Sequence, residues 1–400
     1  MRSSIVFYAS LILAVLISSE CFAQTRTLRV VVYPFIPNYK SVLYYVKTTF
    51  EEAHPEIRLS IIDLHSNYYS STSADYIGTS TADVYELDSV FLADFVKEGK
   101  IQALPSAIKL SQDEVLAVAW KASQIESVRY GFPHWVCGNF LFFHTDDKAL
   151  SQVKSLSDLE AAIGPIGKGG GPRLMTDLKG KSTLGEFYLE TAFDHYGNWT
   201  AVLPHLSSLD PILQSDLIRL RSLCDADYCR SQDYHENKPE IYGRQFARGR
   251  ARALIGYSET LNAVLNETNE SCSIDEKCLT DDKIGVLELG TDDAGLHQVA
   301  WVDSFSVDTK CTGQCAKDAI SFISFMDSDD TYKYILLHAG ASPAYLLPAK
   351  KSLYNDADVL KDAHLYPQLE EIIQKAEVPS TEGLNETLRK IGKDLDSKLP

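Results

Sequence analysis

The segment Leu28-Arg-Val-Val-Val-Tyr-Pro-Phe35 decides the fold class, because it opens a series of short apolar strands that alternate with helices. A run of β-branched residues that ends in a proline-containing turn is typical of a buried strand. Helical spacing of apolar residues follows over Ser41–Ala53, and Ile57–Leu64 alternates as a second strand. Ala82–Leu87 is a third predicted strand, before a short helix over Val90–Phe95. This alternation predicts parallel βαβ units and an α/β sheet.

The remainder of the chain predicts a second lobe and a return to the first. We expect the crossover within Gly131–His144, a helix-rich stretch over Ser157–Phe246, and further strands at Ala253–Tyr257 and Val299–Val307. This order resembles that of extracellular solute-binding proteins, which implies a two-lobed, periplasmic-binding-protein-like (type II) fold with a hinge and an interlobe cleft. We assign residues 24–135 to lobe 1, 136–300 mainly to lobe 2, and 301–400 to the return to lobe 1 and C-terminal helices.

The chain begins with a predicted secretory signal peptide over residues 1–23. Arg2 supplies a basic start, Ile5–Ile17 an apolar stretch, and Cys21-Phe-Ala23 a cleavage site with a small residue at its end. The apolar stretch is too short to be a membrane-spanning helix. We therefore expect a secreted, extracellular protein.

Composition narrows the choice of partners. The net charge of −17 would repel nucleic acid and anionic membrane surfaces, so neither is expected as a partner, although an acidic surface most simply serves solubility. After cleavage about 377 residues remain, which fits two lobes of ordinary domain size. Four N-x-S/T sequons favour a eukaryotic secretory pathway and a glycoprotein: Asn198, Asn266, Asn269 and Asn385.

The cysteines separate into three close pairs and one single residue. In an oxidising compartment, close pairs are expected to form local disulfides, here Cys224–Cys229, Cys272–Cys278 and Cys311–Cys315. None has the C-x-x-C spacing of a zinc site, and no metal is expected. Cys137 has no partner. By counting alone it is equally a buried small hydrophobe or a reactive thiol.

Five ordered segments carry a resemblance to a known family. They are Val32-Tyr-Pro-Phe35, Tyr85-Glu-Leu-Asp-Ser-Val-Phe91, Gly131-Phe-Pro-His-Trp-Val-Cys-Gly-Asn-Phe140, Gly256-Tyr-Ser-Glu259 and Trp301-Val-Asp-Ser-Phe305. Together they resemble the type I thiaminases (thiamine pyridinylases), over about residues 28–349. The resemblance implies a periplasmic-binding-protein fold and cleavage of thiamine at its methylene bridge. The pyrimidine would pass to an amine, a thiol or water, without a cofactor, and we expect a monomer.

The resemblance also implies roles for two residues that would carry the chemistry. Cys137 matches the family's nucleophile, which adds to C6 of the aminopyrimidine; the alternative is a buried free cysteine. Glu259 matches the general base; the alternative is a surface carboxylate that caps a helix after a strand. A nearby carboxylate can take the thiol proton during attack, so a resting thiolate is not needed.

Six further residues match the family's substrate cleft. Asp88 and Asp303 match carboxylates that hydrogen-bond the aminopyrimidine, where a protonated ring nitrogen and an amine are adjacent donors. A turn or helix N-cap is the alternative for each. Tyr33 and Tyr257 match cleft aromatics and could equally be core residues. Phe35 and Trp301 stand where tyrosines are expected, which keeps an aromatic face and loses a hydroxyl.

Other functions remain open from the sequence alone. His134 and His144 flank Cys137, so a Cys–His protease must be considered, but the chain has no Cys-Gly-x-Cys-Trp stretch. A non-catalytic binding protein for thiamine or another small heterocycle would share the fold and the aromatic cleft. It would need neither Cys137 nor Glu259. A carbohydrate-binding relative would have aromatic platforms without a reactive thiol.

Overall fold

The structure is a computed structural model that describes residues 25–64, 68–69, 82–164, 173–271 and 279–399. Three sequence predictions lie outside the described residues. They are the signal peptide over residues 1–23, the turn at the glycine run 167–172, and the pairing of Cys272 with Cys278.

The described residues contain twelve strands in three sheets. The strands are β1 Arg26–Val31, β2 Ile57–Ile62, β3 Val84–Asp88, β4 Gln124–Ile125, β5 Val128–Arg129, β6 Phe132–Cys137, β7 Asn139–His144, β8 Arg173–Met175, β9 Ala251–Tyr257, β10 Ile284–Glu288, β11 Trp301–Val307 and β12 Leu347–Pro348. One sheet has the order β12-β6-β11-β3-β1-β2, a second has the order β10-β7-β9-β8, and β4 and β5 form a small hairpin. The two larger sheets are the centres of the two lobes.

Sixteen α-helices are described around these sheets. They are α1 Tyr39–Ala53, α2 Ser89–Lys97, α3 Ala117–Ala122, α4 Leu156–Ile163, α5 Lys181–Tyr196, α6 Trp199–Val202, α7 Pro211–Ser222, α8 Ala226–Cys229, α9 Gln232–Asn237, α10 Ile241–Ala247, α11 Thr260–Ser271, α12 Gln314–Met326, α13 Asp329–Lys333, α14 Ala357–Asp362, α15 Tyr366–Ile373 and α16 Leu384–Lys398. Short 3₁₀ or π turns occupy Leu150–Gln152, Leu203–Leu206, Asp281–Lys283, Tyr334–His338 and Lys351–Asn355. The described chain therefore ends in three helices, α14 to α16.

The first sheet is mixed, because the chain leaves it and returns. β1 is parallel to both β2 and β3, as the βαβ pattern predicted. β11 enters from the second lobe and runs antiparallel to both β3 and β6. α1 covers this sheet with the i, i+4, i+8 positions Val42, Val46 and Phe50, and Phe50 packs edge-on against Phe322 of α12 at 5.6 Å between ring centroids.

The second lobe is organised around α5. Most residues between 184 and 194 of this helix are buried, which is expected for a helix that is covered on several sides. α16 crosses α5 at two glycines, where an added Cβ on Gly392 would overlap the carbonyl oxygen of Lys181 and one on Gly185 that of Leu388. Because glycine has no side chain, the two backbones can approach closely where the helices cross.

α16 also contacts the first lobe. The backbone N–H of Gly383 donates to Asp94 Oδ1 of α2 at 2.8 Å, and Lys97 of α2 pairs with Glu382. On the other side, Lys179 pairs with Asp396 at 2.7 Å, just before α5. The C-terminal helix therefore connects the two lobes.

Gly138 is the point where the chain passes from one lobe to the other. Cys137 ends β6 in the first sheet, and Asn139 begins β7 in the second. A Cβ at Gly138 would lie 2.9 Å from the carbonyl oxygen of Val299. The return crossing runs alongside, since Gln298 Nε2 donates to the carbonyl oxygen of Asn139 at 2.7 Å. Cys137 is thus fixed beside the hinge between the lobes.

Two of the three predicted cysteine pairs lie at disulfide distance. The Cα atoms are 6.1 Å apart in Cys224–Cys229 and 5.1 Å apart in Cys311–Cys315. Cys137 is free and buried. The sulfurs of the Cys311–Cys315 pair and Asp83 are the one potential metal-binding group among the described residues, but the cysteines are bonded to each other and Asp83 pairs with Arg29 at 2.6 Å.

The described surface bears on two other predictions. Among the described helices, none combines the length and apolar character that crossing a membrane requires. The sequon residue Asn385 is only 5% exposed at the start of α16, so a glycan could not be attached there in the folded protein. Asn198 and Asn269 are exposed.

Candidate active site

Strand register assembles one side of the candidate site. β11 lies between β3 and β6, with Asp303 opposite Asp88 on one neighbour and Trp301 opposite Cys137 on the other. Four residues from three distant segments therefore meet where β3 and β6 end and β11 begins, next to the crossing at Gly138. These strand ends face the second lobe.

Cys137 lies beside a carboxyl group. Its Sγ is 3.8 Å from Asp303 Oδ2, and Tyr68 donates its hydroxyl to Asp303 Oδ1 at 3.1 Å. Burial raises the pKa of the Cys137 thiol well above its ordinary value, and the negative charges of Asp303 and Glu259 raise it further. Burial, with the nearby Asp88, likewise raises the pKa of Asp303 well above its usual range. Both shifts favour the protonated forms of these groups.

Asp88 has two functions in the fold at once. Its Oδ1 accepts from the backbone N–H of Val90 at 2.9 Å, which makes it the N-cap of α2. Its Oδ2 accepts from the hydroxyl of Tyr69 at 2.8 Å. Burial raises the pKa of Asp88 to about 6. The helix-cap interpretation is therefore correct, and the same carboxylate also faces the cleft.

Glu259 reaches the site from the second lobe. It follows β9 directly, is half-buried, and precedes the first residue of α11. Burial raises the pKa of Glu259 to about 7, while a hydrogen bond from Ser258 opposes the shift. The charge of Glu259 raises the pKa values of Cys137, Asp303 and Tyr33, so Glu259 lies close enough to interact with them electrostatically.

Aromatic rings form another wall of the cleft. Tyr33 packs edge-on against Phe35 and Tyr68, with centroids 5.6 Å and 5.5 Å apart. Phe35 stacks on Tyr69 at 5.7 Å and is 38% exposed. The sequence predicted Tyr33 and Phe35 but missed Tyr68 and Tyr69. Those two lie between strands, in a stretch without hydrophobic periodicity. They can be assigned to the wall of the cleft only from the aromatic rings that pack against them.

The side of the cleft nearest α5 combines an indole, a phenol and acids. Trp301 is 4% exposed, and its Nε1 has no hydrogen-bond partner within the described ranges. Tyr257 donates its hydroxyl to Glu186 of α5. Burial raises the pKa of Glu186 to about 7. The next turn of the helix adds Glu190, which accepts from Asn139 at 2.8 Å and whose pKa burial raises to about 8.

Sequence reasoning missed both of these glutamates. They lie in a long helix-rich stretch where charged residues are ordinarily solvated. One signal was present in retrospect: the segment Gly185-Glu-Phe-Tyr-Leu-Glu190 places two acids among large apolar residues, four positions apart on one helix face.

The two histidines near Cys137 are engaged elsewhere. His134 Nδ1 lies 2.5 Å from Glu86 Oε1, both side chains are fully buried, and His134 Nε2 has no partner in the described part of the chain. Glu86 also accepts from the backbone N–H of Tyr33 at 2.7 Å. His144, at the far end of β7, packs against Phe246. This arrangement does not fit a Cys–His protease dyad.

The fold first defines a class of protein. A solute-binding protein of Agrobacterium radiobacter K84, solved in complex with ribitol, superposes with a TM-score of 0.73 at 15% identity, and the match covers 94% of each chain. The predicted two-lobed, periplasmic-binding-protein-like α/β fold is confirmed.

A family within this class is then indicated by sequence. The Thiaminase-1 domain matches residues 138–278. Over 363 residues the chain is 27% identical to Thiaminase-1 of Paenibacillus thiaminolyticus, a match that covers 87% of this chain and 81% of that protein. Thiaminase I of Clostridium botulinum, solved in complex with thiamin, superposes with a TM-score of 0.77 at 21% identity, over 93% of this chain and 99% of that one. The chain is a relative of the type I thiaminases.

Proposed function

We propose that this protein is a secreted thiaminase that cleaves thiamine at the methylene bridge and transfers the pyrimidine to a second nucleophile through an adduct on Cys137. One observation carries the proposal. The free cysteine lies at the hinge, 3.8 Å from one carboxyl oxygen and within the electrostatic reach of Glu259. A protein that only binds its ligand needs no such arrangement.

The charge of the cleft fits the substrate. Thiamine carries a cationic thiazolium, and the carboxyl groups of Asp88, Asp303 and Glu259 lie at this site. The raised pKa of Asp303 favours its protonated form in the free protein. In the proposed complex Asp303 passes its proton to a pyrimidine ring nitrogen and then accepts a hydrogen bond from it, with Asp88 beside it as a second acceptor. A protonated ring is more electrophilic at C6.

The bond-forming step requires a base, because the thiol is protonated at rest. As Cys137 Sγ bonds to C6, its proton passes to a carboxylate. Glu259 suits this step, since a pKa of about 7 leaves a large ionised fraction at neutral pH. The thiazole then departs from the methylene carbon. An amine or thiol adds to that carbon, and the S–C6 bond breaks to release the product. No cofactor enters these steps.

The direct test is an exchange reaction. Purified protein is incubated with thiamine and an excess of aniline, and the pyrimidine–aniline product is detected by mass. We expect product with the parent chain and none with Cys137→Ser, because a hydroxyl is far less acidic than a thiol and serine fills nearly the same volume. Exchange by a well-folded Cys137→Ser variant would remove Cys137 from the mechanism.

The solute-binding-protein fold supports a second candidate, a binding protein for thiamine that does not turn it over. Calorimetry separates the two. Saturable binding of intact thiamine by the parent chain, with no exchange product after long incubation, would favour the binding protein.

A further inference from the structure

A narrow cavity adjoins the site described above and has walls from three parts of the chain. Asp88 and Trp301 come from the first lobe, Ser182 and Glu186 from α5, and Asn385 and Leu388 from α16. Its free volume of about 10 Å³ accommodates one water-sized group. Asn385 and Leu388 are 5% and 3% exposed, so the C-terminal helix closes one side of the cavity.

Two features of the walls indicate a polar occupant. The indole N–H of Trp301 is buried without a hydrogen-bond partner in the described residues, and such donors are rarely left unsatisfied. Glu186 accepts the Tyr257 hydroxyl at Oε2, which leaves its Oε1 able to accept a second donor or a proton. Trp301, with its unsatisfied N–H, and two carboxyl-bearing residues therefore line a space of the size of a single nitrogen or oxygen atom with its hydrogens.

We infer that this cavity holds the nucleophilic nitrogen of a primary or secondary amine acceptor, and that Glu186 takes the proton this nitrogen loses. The inference rests on the proposed function and concerns the second step of the reaction, the transfer of the pyrimidine to the acceptor. Asp88 and Trp301 line both this cavity and the site of Cys137, so an amine seated here is next to the proposed intermediate.

The proposed step balances as follows. The lone pair of the amine forms a C–N bond to the methylene carbon of the Cys137-bound pyrimidine. As this bond forms, the π electrons of the exocyclic C=C bond move into the ring. The ring becomes aromatic again when the S–C6 bond breaks, and the sulfur leaves with the electrons of that bond and takes back the proton held by Glu259. The ammonium formed at nitrogen releases one proton to the Glu186 carboxylate. Pyridine, which has no N–H, forms the same bond without this proton transfer.

The difference between aniline and pyridine provides the test. In Glu186→Gln we expect kcat/KM for aniline, measured at saturating thiamine, to fall at least about tenfold, while kcat/KM for pyridine changes less than about threefold. Glu386→Gln is the matched control, because it removes the same charge from an exposed position of α16 next to Asn385, and we expect both acceptors to be unaffected. Asn385→Leu, which makes the other wall apolar, should raise the KM for aniline more than the KM for thiamine.

The outcomes separate this inference from the proposed function. If the parent chain consumes no thiamine with any acceptor, the proposed function fails. If the parent is active and Glu186→Gln reduces aniline and pyridine transfer equally, Glu186 only orients Tyr257 and the inference is overturned. If Glu186→Gln does not fold, Asn385→Leu decides: an unchanged KM for aniline would overturn the acceptor site.

Discussion

At the scale of single residues, the chemistry of the cleft depends on where its protons lie. Burial and neighbouring carboxylates raise the pKa of Cys137, so its thiol is neutral at rest. The pKa of Asp303, 3.8 Å away, is also raised well above its usual range. Glu259, with a pKa of about 7, changes its charge near neutrality, as Glu186 does. In the proposed mechanism, activation of the cysteine therefore follows the ionisation of Glu259 and not that of the thiol.

This assignment gives a pH prediction for Glu259. A base must be ionised to accept a proton, so kcat/KM for thiamine should rise with pH through a midpoint near 7. Glu259→Gln should lower the rate by about 10²-fold and remove this rise. Glu259→Asp is the control, since it keeps a carboxylate and should retain a pH-dependent rise at a lower rate. A rise with the same midpoint in Glu259→Gln would assign the base elsewhere.

Asp88 and Asp303 give a prediction about substrate preference. Asp88→Asn and Asp303→Asn should each reduce the preference for a 4-aminopyrimidine over its 4-oxo analogue by roughly tenfold, because an amide presents a donor where the ligand also has one. Competition between the two ligands measures it. Thermal melting controls for folding: asparagine also caps helices, so Asp88→Asn should leave Tm nearly unchanged. Unchanged preference in both variants would leave these residues with structural roles only.

At the scale of elements, the crossing of α5 and α16 fixes the shape of the cavity. The helices meet at Gly185, the residue before Glu186, and at Gly392, one turn after Leu388. Backbone contact at this point leaves no space for even a methyl group. α16 also contacts α2 of the first lobe, because the backbone N–H of Gly383, just before α16, donates a hydrogen bond to Asp94. α16 thus positions one wall of the cavity against both lobes.

Gly392→Ala tests this packing. The added methyl group would overlap the backbone of Lys181, and overpacking of this kind costs about 1–3 kcal/mol or more of unfolding free energy. We expect a lower Tm and weaker use of aniline as the acceptor. Lys390→Ala, an exposed change on the same helix, should alter neither. A Gly392→Ala variant with the parent's Tm would mean that the helices cross at a larger distance.

At the scale of the whole molecule, compartment and chemistry can be tested together by mapping thiols. Mature protein prepared without reductant should contain one free thiol, that of Cys137, with three local disulfides. The third, Cys272–Cys278, is predicted from spacing alone. An aminopyrimidine with a leaving group at C6 should modify Cys137 selectively, and saturating thiamine should slow the modification. Labelling no faster than that of thiols in denatured protein would contradict a reactive Cys137.

The sequence alone determined the fold class, and it named several of the residues that the structure brings together at the candidate site. The alternation of strand-like and helix-like apolar patterns predicted βαβ units. β1 is parallel to β2 and β3, because the local sequence determines which kind of element follows each strand. Cysteine spacing predicted two pairs that are observed, since close cysteines can meet without the rest of the fold. The division at residues 135 and 300 and the roles of Cys137 and Glu259 stay predictions.

Tertiary structure alone decided what depends on contacts between distant segments. The antiparallel entry of β11 sets Asp303 opposite Asp88, and no local pattern encodes that register. The aromatic wall at Tyr68 and Tyr69, the buried Glu186, and the buried sequon at Asn385 were likewise invisible, because each depends on which surface packs over it. Burial is a property of the assembled molecule. Burial changes the pKa of a carboxyl group, and the residues that neighbour this group in the sequence do not reveal the change.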